Sequence, residues 1–177
     1  MKLKLLLSIL IMFLLQSCFL VDTANIQGTG PINILDNASD SITAVQPESA
    51  LVYSMDSVTI TNLVHTWAAD LTITLTDPEG NSCVLADGDG ENYDFNGTYT
   101  FVSSDNTDFP ALYDNTGEIY TGGVITAQTL RAKGSLQDLV PDDMAGSWTL
   151  TIEDSRTDDT GTCESFTVTL TYFIPWW

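Results

Sequence analysis

The chain has 177 residues, 24 acidic and 5 basic, for a formal net charge of −19 at pH 7. A body this negative is repelled by phosphate, which argues against nucleic acid or an anionic membrane surface as its partner. Charged residues make up only 16% against 44% hydrophobic ones, a balance that excludes intrinsic disorder and suits one folded domain with a sizeable core.

Lys2 and Lys4 precede an apolar run from Leu5 to Leu15. That run is too short for a bilayer core, which takes roughly 20 apolar residues, but it suits the central region of an export signal. It ends in Leu15-Gln16-Ser17-Cys18, which resembles a bacterial lipobox: the small residue before the cysteine permits cleavage, and the thiol of Cys18 receives the lipid. Residues 1–18 are therefore read as a signal peptide of lipoprotein type. The protein is expected to be exported, to a bacterial cell envelope or beyond it. The alternative is an ordinary secretory peptide cut a few residues later. Against that stands Asp22, two before Ala24, where a small apolar residue is expected.

Residues 19–30 are short, polar and glycine-containing, and read as a tether to a folded domain over 31–177. With Cys18 lipidated or removed, Cys83 and Cys163 remain as a pair. In an oxidising compartment two thiols most simply form one disulfide. It would close a loop of about 80 residues and add about 4–5 kcal/mol if unstrained. Two separate buried thiols are the alternative. Two cysteines and one histidine offer too few ligands for a zinc site.

Period-2 alternation dominates from there on. Short strands are expected at Ile32–Leu35, Ile42–Val45 and Ala50–Tyr53. In the next strand Val58, Ile60 and Val64 alternate with Thr59, Thr61 and Leu63, and then Leu71, Ile73 and Leu75 alternate with Thr72, Thr74 and Thr76. Val84–Ala86, Thr98–Val102 and Gly123–Thr126 are shorter candidates. Near the C-terminus Trp148, Leu150 and Ile152 alternate with Thr149, Thr151 and Glu153, and Phe166, Val168, Leu170 and Tyr172 alternate with Thr167, Thr169 and Thr171. One apolar face and one threonine face is the pattern of a half-buried antiparallel strand. Turns are marked by Asp77-Pro78-Glu79-Gly80, the two Asp-Gly steps of Asp87–Gly90, and Asn96-Gly97. Only Ala127–Leu139 has room for a helical turn, interrupted by Gly134. The fold class is all-β, a jelly-roll β-sandwich of antiparallel strands.

Several of these segments together resemble one family. The stretch from Val58 through His65-Thr66-Trp67, Asp70-Leu71 and Asp77-Pro78-Glu79-Gly80 is similar to the start of the P domain, or P/Homo B domain. There a strand runs into His-Thr-aromatic, then Asp-Leu, then a strand ending in a Pro-x-Gly turn. Gly146-Ser147-Trp148-Thr149-Leu150, ending in Asp154, resembles the family's Gly-x-Trp-x-Leu strand. Asp159-Thr160-Gly161, leading into Phe166-Thr167-Val168-Thr169-Leu170, resembles its Asp-x-Gly turn and last strand. Pro31-Ile32-Asn33-Ile34 through Asn37 is similar to its opening strand. Phe166 stands where tryptophan is common, and Cys163 where leucine is common, so the expected disulfide would belong to this branch alone.

The resemblance implies a jelly-roll β-sandwich of the kind found beside subtilisin-like serine protease domains, in proprotein convertases and bacterial exoproteases. Such domains serve folding, stability and calcium or pH behaviour without carrying the catalytic triad. His65 is the only imidazole, and the resemblance places it structurally, at a strand end near Asp70. No Gly-x-Ser-x-Gly elbow for a nucleophile occurs, and Ser147 sits mid-strand.

The acids are the other signal. Asp154, Asp158 and Asp159 flank one turn, Asp70 and Asp77 bracket one strand, and Asp105 and Asp108 lie in a long loop. Calcium takes six to eight oxygens from loop carboxylates and carbonyls, so Ca2+ is the expected cofactor, with Asp70, Asp105, Asp154 and Asp159 as ligands. A plainly acidic surface with Asp in turns is the alternative. Asp87-Gly88-Asp89-Gly90 is not an EF-hand, because the sixth and twelfth positions are Asn92 and Thr98; it reads as a hairpin tip. The tail from Tyr172 to Trp176 and Trp177 reads as a last strand on the sandwich edge, or else as an interfacial anchor or docking patch.

The function expected is that of a non-catalytic, calcium-stabilised P-domain module, lipid-anchored through Cys18. It would bind or support another protein, such as a subtilisin-like protease. The alternatives are a surface adhesion or glycan-binding module and, last, a serine endopeptidase in its own right.

Overall fold

The computed structural model describes residues 20–112 and 119–174. Cys18 and its lipobox, and the tail tryptophans Trp176 and Trp177, lie outside the described residues. The strands in chain order are β1 (Val21–Ile34), β2 (Ser39–Gln46), β3 (Val52–His65), β4 (Leu71–Thr76), β5 (Ser82–Asp87), β6 (Asp94–Val102), β7 (Tyr120–Thr121), β8 (Val124–Ile125), β9 (Thr129–Arg131), β10 (Gly146–Asp154) and β11 (Gly161–Phe173). They form two sheets, one in the order β1-β11-β3-β6-β8-β7 with β9 also paired to β6, the other in the order β2-β10-β4-β5. This is the β-sandwich that the alternation predicts.

The core lies between the sheets because each long strand turns its apolar positions inward. Phe166, Val168 and Leu170 of β11, with Val58 and Ile60 of β3, are buried on one side; Trp148, Leu150 and Ile152 of β10, with Ile73 and Leu75 of β4, are buried on the other. The indole N–H of Trp148 donates to the carbonyl of Met144 at 3.0 Å, so even the largest core side chain leaves no polar atom unbonded. The threonine faces pair across strands: the hydroxyls of Thr43 and Thr149 lie 3.2 Å apart and those of Thr59 and Thr100 3.0 Å apart.

The described residues of the expected 19–30 tether are not a tether. From Val21 they belong to β1, which pairs with β11 from Val21↔Phe173 to Ile34↔Gly161, with one irregularity between Thr29 and Ile32. The segment looks polar because one inward position is a glycine. A Cβ at Gly28 would sit 2.2 Å from Cε1 of Phe166, so the ring occupies the space of a side chain.

The inward phase of β3 also shifts. Leu63 is buried and Val64 is exposed, the reverse of the simple alternation, because the ladder to β6 slips between Ile60 and Leu63 at Asn62, whose φ is 50°. Such a bulge adds one residue and reverses every side chain beyond it. It is this slip that turns His65 into the interior.

Cys83 and Cys163 form no disulfide; they are separate buried thiols. They occupy different sheets and have different neighbours. Cys83 lies in β5 against Gly134, where an added Cβ would meet its Sγ at 2.9 Å. Cys163 lies in β11 opposite Ile32, with Sγ 3.6 Å from the carbonyl of Ser165. The one helical turn anticipated between Ala127 and Leu139 is a 3-10 turn at Leu136–Leu139. A second, not anticipated, spans Ala68–Asp70 and leads into β4.

Candidate functional site

Two connections meet at one end of the sandwich. Residues 66–70 join β3 to β4, and residues 155–160 join β10 to β11. The registers hold them together, with Gly161 opposite His65 and Asp154 opposite Leu71. Gly161 is required there: a Cβ would fall 2.1 Å from the carbonyl oxygen of Val64 and 2.9 Å from the His65 ring.

His65 is fully buried. Its Nε2 lies 3.3 Å from Oδ2 of Asp154, which is 1% exposed. A carboxylate only accepts, so Nε2 carries the hydrogen of this bond. Nδ1 lies against the backbone of Trp67, 2.9 Å from its carbonyl oxygen and 3.2 Å from its nitrogen. The second oxygen of Asp154 accepts the backbone N–H of Arg156 at 2.8 Å. The histidine and the aspartate thus pin both connections to the core. With both ring nitrogens engaged and no surface exposed, His65 cannot serve a nucleophile as a base.

Above this buried pair lies a shallow groove of about 640 Å³, lined by Trp67, Asp70, Gly88, Arg156, Asp158 and Asp159 among others. Asp159 accepts the hydroxyl of Thr66. Asp70 is tied by its backbone, its carbonyl accepting the N–H of Ser155 at 3.0 Å and the Ser155 hydroxyl at 3.1 Å. Its carboxyl is raised above the ordinary value, first by burial and then by the neighbouring charges of Asp154 and Asp159; Arg156 and His65 oppose this without cancelling it.

Of the four carboxylates expected to bind calcium, the fold brings Asp70, Asp154 and Asp159 to this corner. Asp105 lies elsewhere. It follows β6, whose Phe95 faces His65 and whose Phe101 faces Val58, so Asp105 lies past the far end of the strand. Among the described residues no three His, Cys, Asp or Glu side chains converge in a set that would hold a metal ion. Both oxygens of Asp154 are engaged, and Asp159 accepts from Thr66. The donors that remain do not fit a calcium ion, which takes six to eight oxygens.

Asp77 is a turn-former: its carboxylate accepts the N–H groups of Glu79 and Asn81 and the Asn81 side-chain amide, each at 2.9 Å. Asp87 and Asp89 hold Lys133 at the hairpin tip, at 3.3 and 3.5 Å. Sequence reasoning passed over Trp67 and Arg156 as groove residues. Two signals were there to be read: a large aromatic placed in a turn rather than on a strand face, and one of very few basic residues in a strongly acidic chain.

Fold and corner together define a β-sandwich in which the lone histidine is a buried strut. The family model for the proprotein convertase P-domain matches residues 55–170, and the chain belongs to that family. Among solved structures it is similar to a crystallised complex of an Aeromonas sobria serine protease and its chaperone, with a TM-score of 0.58 at 12% identity, over 95% of this chain and 30% of that one. It is also similar to the serine protease of Aeromonas sobria, with a TM-score of 0.48 at 15% identity, over 87% of this chain and 27% of that one. The chain therefore spans under a third of the length of these two structures, and at such identities the likeness concerns the fold alone. Among curated proteins the comparison gives no match.

Proposed function

We propose that the chain is a non-catalytic accessory module, exported and lipid-anchored through Cys18, that binds and supports another protein such as a subtilisin-like serine protease. The observation that carries this reading is the P-domain match across residues 55–170 in a chain whose single histidine is closed off by Asp154 and the Trp67 backbone. A domain of this family without a working base contributes through contact rather than chemistry. The solved relative with the higher TM-score is a serine protease held in a complex with a chaperone, which favours a protein as the partner here.

The test has two arms. The purified full chain should neither hydrolyse casein nor be labelled by a fluorophosphonate probe; labelling that disappears in His65→Ala would make it an enzyme. In the producing cell, removing the chain should lower the yield of active exported serine protease, and restoring it should recover that yield. An unchanged yield would end the accessory reading.

A further inference from the structure

We propose that the end of the sandwich where β1 begins and β11 finishes rests on the zwitterionic lipid surface of a membrane, an inference that depends on the reading of Cys18 as lipidated. Five of the nine large apolar side chains that stay exposed among the described residues gather there: Leu20, Val21, Leu51, Tyr53 and Ile174. The strands hold them in one row. Val21 pairs with Phe173, and the Phe173 ring meets Tyr53 edge-on with centroids 5.3 Å apart. The N–H of Phe173 donates to the carbonyl of Leu51, and that of Ile174 to the carbonyl of Leu20, each at 2.9 Å. One step further along the sheet the outward pairs turn polar. Thr23 faces Thr171, whose hydroxyl donates to Asp56 at 2.8 Å, and the Thr169 hydroxyl donates to Asn25 at 2.9 Å. Apolar side chains confined to the last row of a threonine face mark a surface that something covers.

Chain length says what covers it. β1 already starts at Val21, and in the sequence only Phe19 stands between Cys18 and Leu20. At no more than about 3.6 Å per residue, a lipid-bearing Cys18 lies within about 7 Å of Leu20. A domain held so close does not stand clear of the bilayer; the end that carries the lipid touches it. Proteins that lie on membranes bury apolar surface about 5–10 Å into the boundary of headgroups and acyl chains. Tyrosine, apolar in body and polar at its tip, suits that depth. Pro175-Trp176-Trp177, outside the described residues, follow Ile174 in the sequence and add two more aromatics of the kind found in that layer. Charge selects the lipid. Asp22 and Asp56 border the row in a chain of net charge −19, so anionic headgroups would repel this end and zwitterionic ones do not. The lipid recruits the domain, and the row orients it. β11 is 13 residues long, which stands the His65 corner, where Gly161 lies, about 40 Å above the membrane at roughly 3.3 Å per residue.

The test uses the chain purified from membranes of the producing cell and reconstituted in phosphatidylcholine vesicles whose acyl chains are brominated near the headgroup. Its mass is measured first. A polarity-sensitive fluorescent reporter is then attached through Leu51→Cys, in the row, or through Trp67→Cys, at the far corner; Cys83 and Cys163 are buried and stay unlabelled. The reporter at position 51 should shift to the blue and be quenched by bromine, and the one at position 67 should do neither. Adding Val21→Ser and Tyr53→Ser, both at exposed positions, should abolish the shift and the quenching at position 51. Equal quenching at the two positions, or quenching untouched by both serines, would overturn the proposal. So would an unquenched reporter at position 51, which would give the row to a second copy or to a protein partner. A mass without lipid would remove the anchor and the proposal with it. With the lipid present, the quenching judges the proposal alone, and the accessory role is still judged by the protease yield.

Discussion

Asp70 and Asp154 are neighbouring carboxylates in a chain of net charge −19, and neutralising either removes the same charge. The structure nevertheless predicts opposite effects on stability. Asp154 is 1% exposed and accepts two hydrogen bonds, one of full strength from the Arg156 N–H at 2.8 Å and one at the long limit from His65 at 3.3 Å. Asp154→Ala leaves the buried His65 N–H without an acceptor and gives up the part-buried bond from the Arg156 N–H, which together cost about 2–4 kcal/mol. A domain of about 150 residues melts with an entropy near 0.3 kcal/mol per kelvin, so Tm should fall by roughly 6–13 °C.

Asp70→Asn should instead raise Tm. The folded-state value of Asp70 lies above the ordinary 3.8 because of burial first and then Asp154 and Asp159. The folded protein therefore holds this proton more tightly than the unfolded chain does. The stability linked to the group is fully present below the ordinary value and is lost as pH rises through the raised one. At neutral pH the ionised form works against the fold, and the amide removes that penalty. Melting both variants by circular dichroism at pH 7 decides the matter. If Asp154→Ala rose along with Asp70→Asn, the corner would be nothing more than a patch of like charges relieved by any neutralisation, and the buried strut would be refuted.

Three further outcomes follow from the fold. Gly28→Ala would drive a methyl group to 2.2 Å from the Phe166 ring and 2.8 Å from Cγ2 of Ile42, at a cost of about 1–3 kcal/mol; an unchanged Tm would mean that residues 21–30 do not pair with β11. Burial pushes the thiols of Cys83 and Cys163 up to about 11, so both should resist alkylation at pH 7.5 in the native protein and label after unfolding without reductant. A peptide linking the two in a non-reducing digest would contradict this. Exchanging calcium for a chelator at equal ionic strength should move Tm no more than magnesium does, whereas saturation of a true site at about 100 times its dissociation constant would add about 2.7 kcal/mol. A calcium-specific rise would return Asp70, Asp154 and Asp159 to the role of ligands.

The strong strands could be read from the chain because a half-buried strand writes its two faces as alternating letters. Leu71–Leu75, Trp148–Ile152 and Phe166–Leu170 carry that signature without interruption, and the burial along β4, β10 and β11 follows it. β1 escaped because its inward glycine, Gly28, is small for the sake of Phe166, far away in sequence. The phase of β3 escaped at Asn62, where the extra residue of a bulge leaves the composition of the strand unchanged.

The candidate site divides along the same line. The sequence by itself determined an all-β sandwich, a strongly acidic surface, one histidine at a strand end and the motifs of the P-domain family, because each is a property of local pattern or of composition. Only the tertiary structure decided which acid does what. Strand register brought Asp70, Asp154 and Asp159 to one corner and left Asp105 at the other end; Asp154 became the support of His65, and Asp70 was left on the lining of the groove. A carboxylate's role depends on the donors and charges within a few ångströms of it, and those come from strands that meet only when the two sheets close.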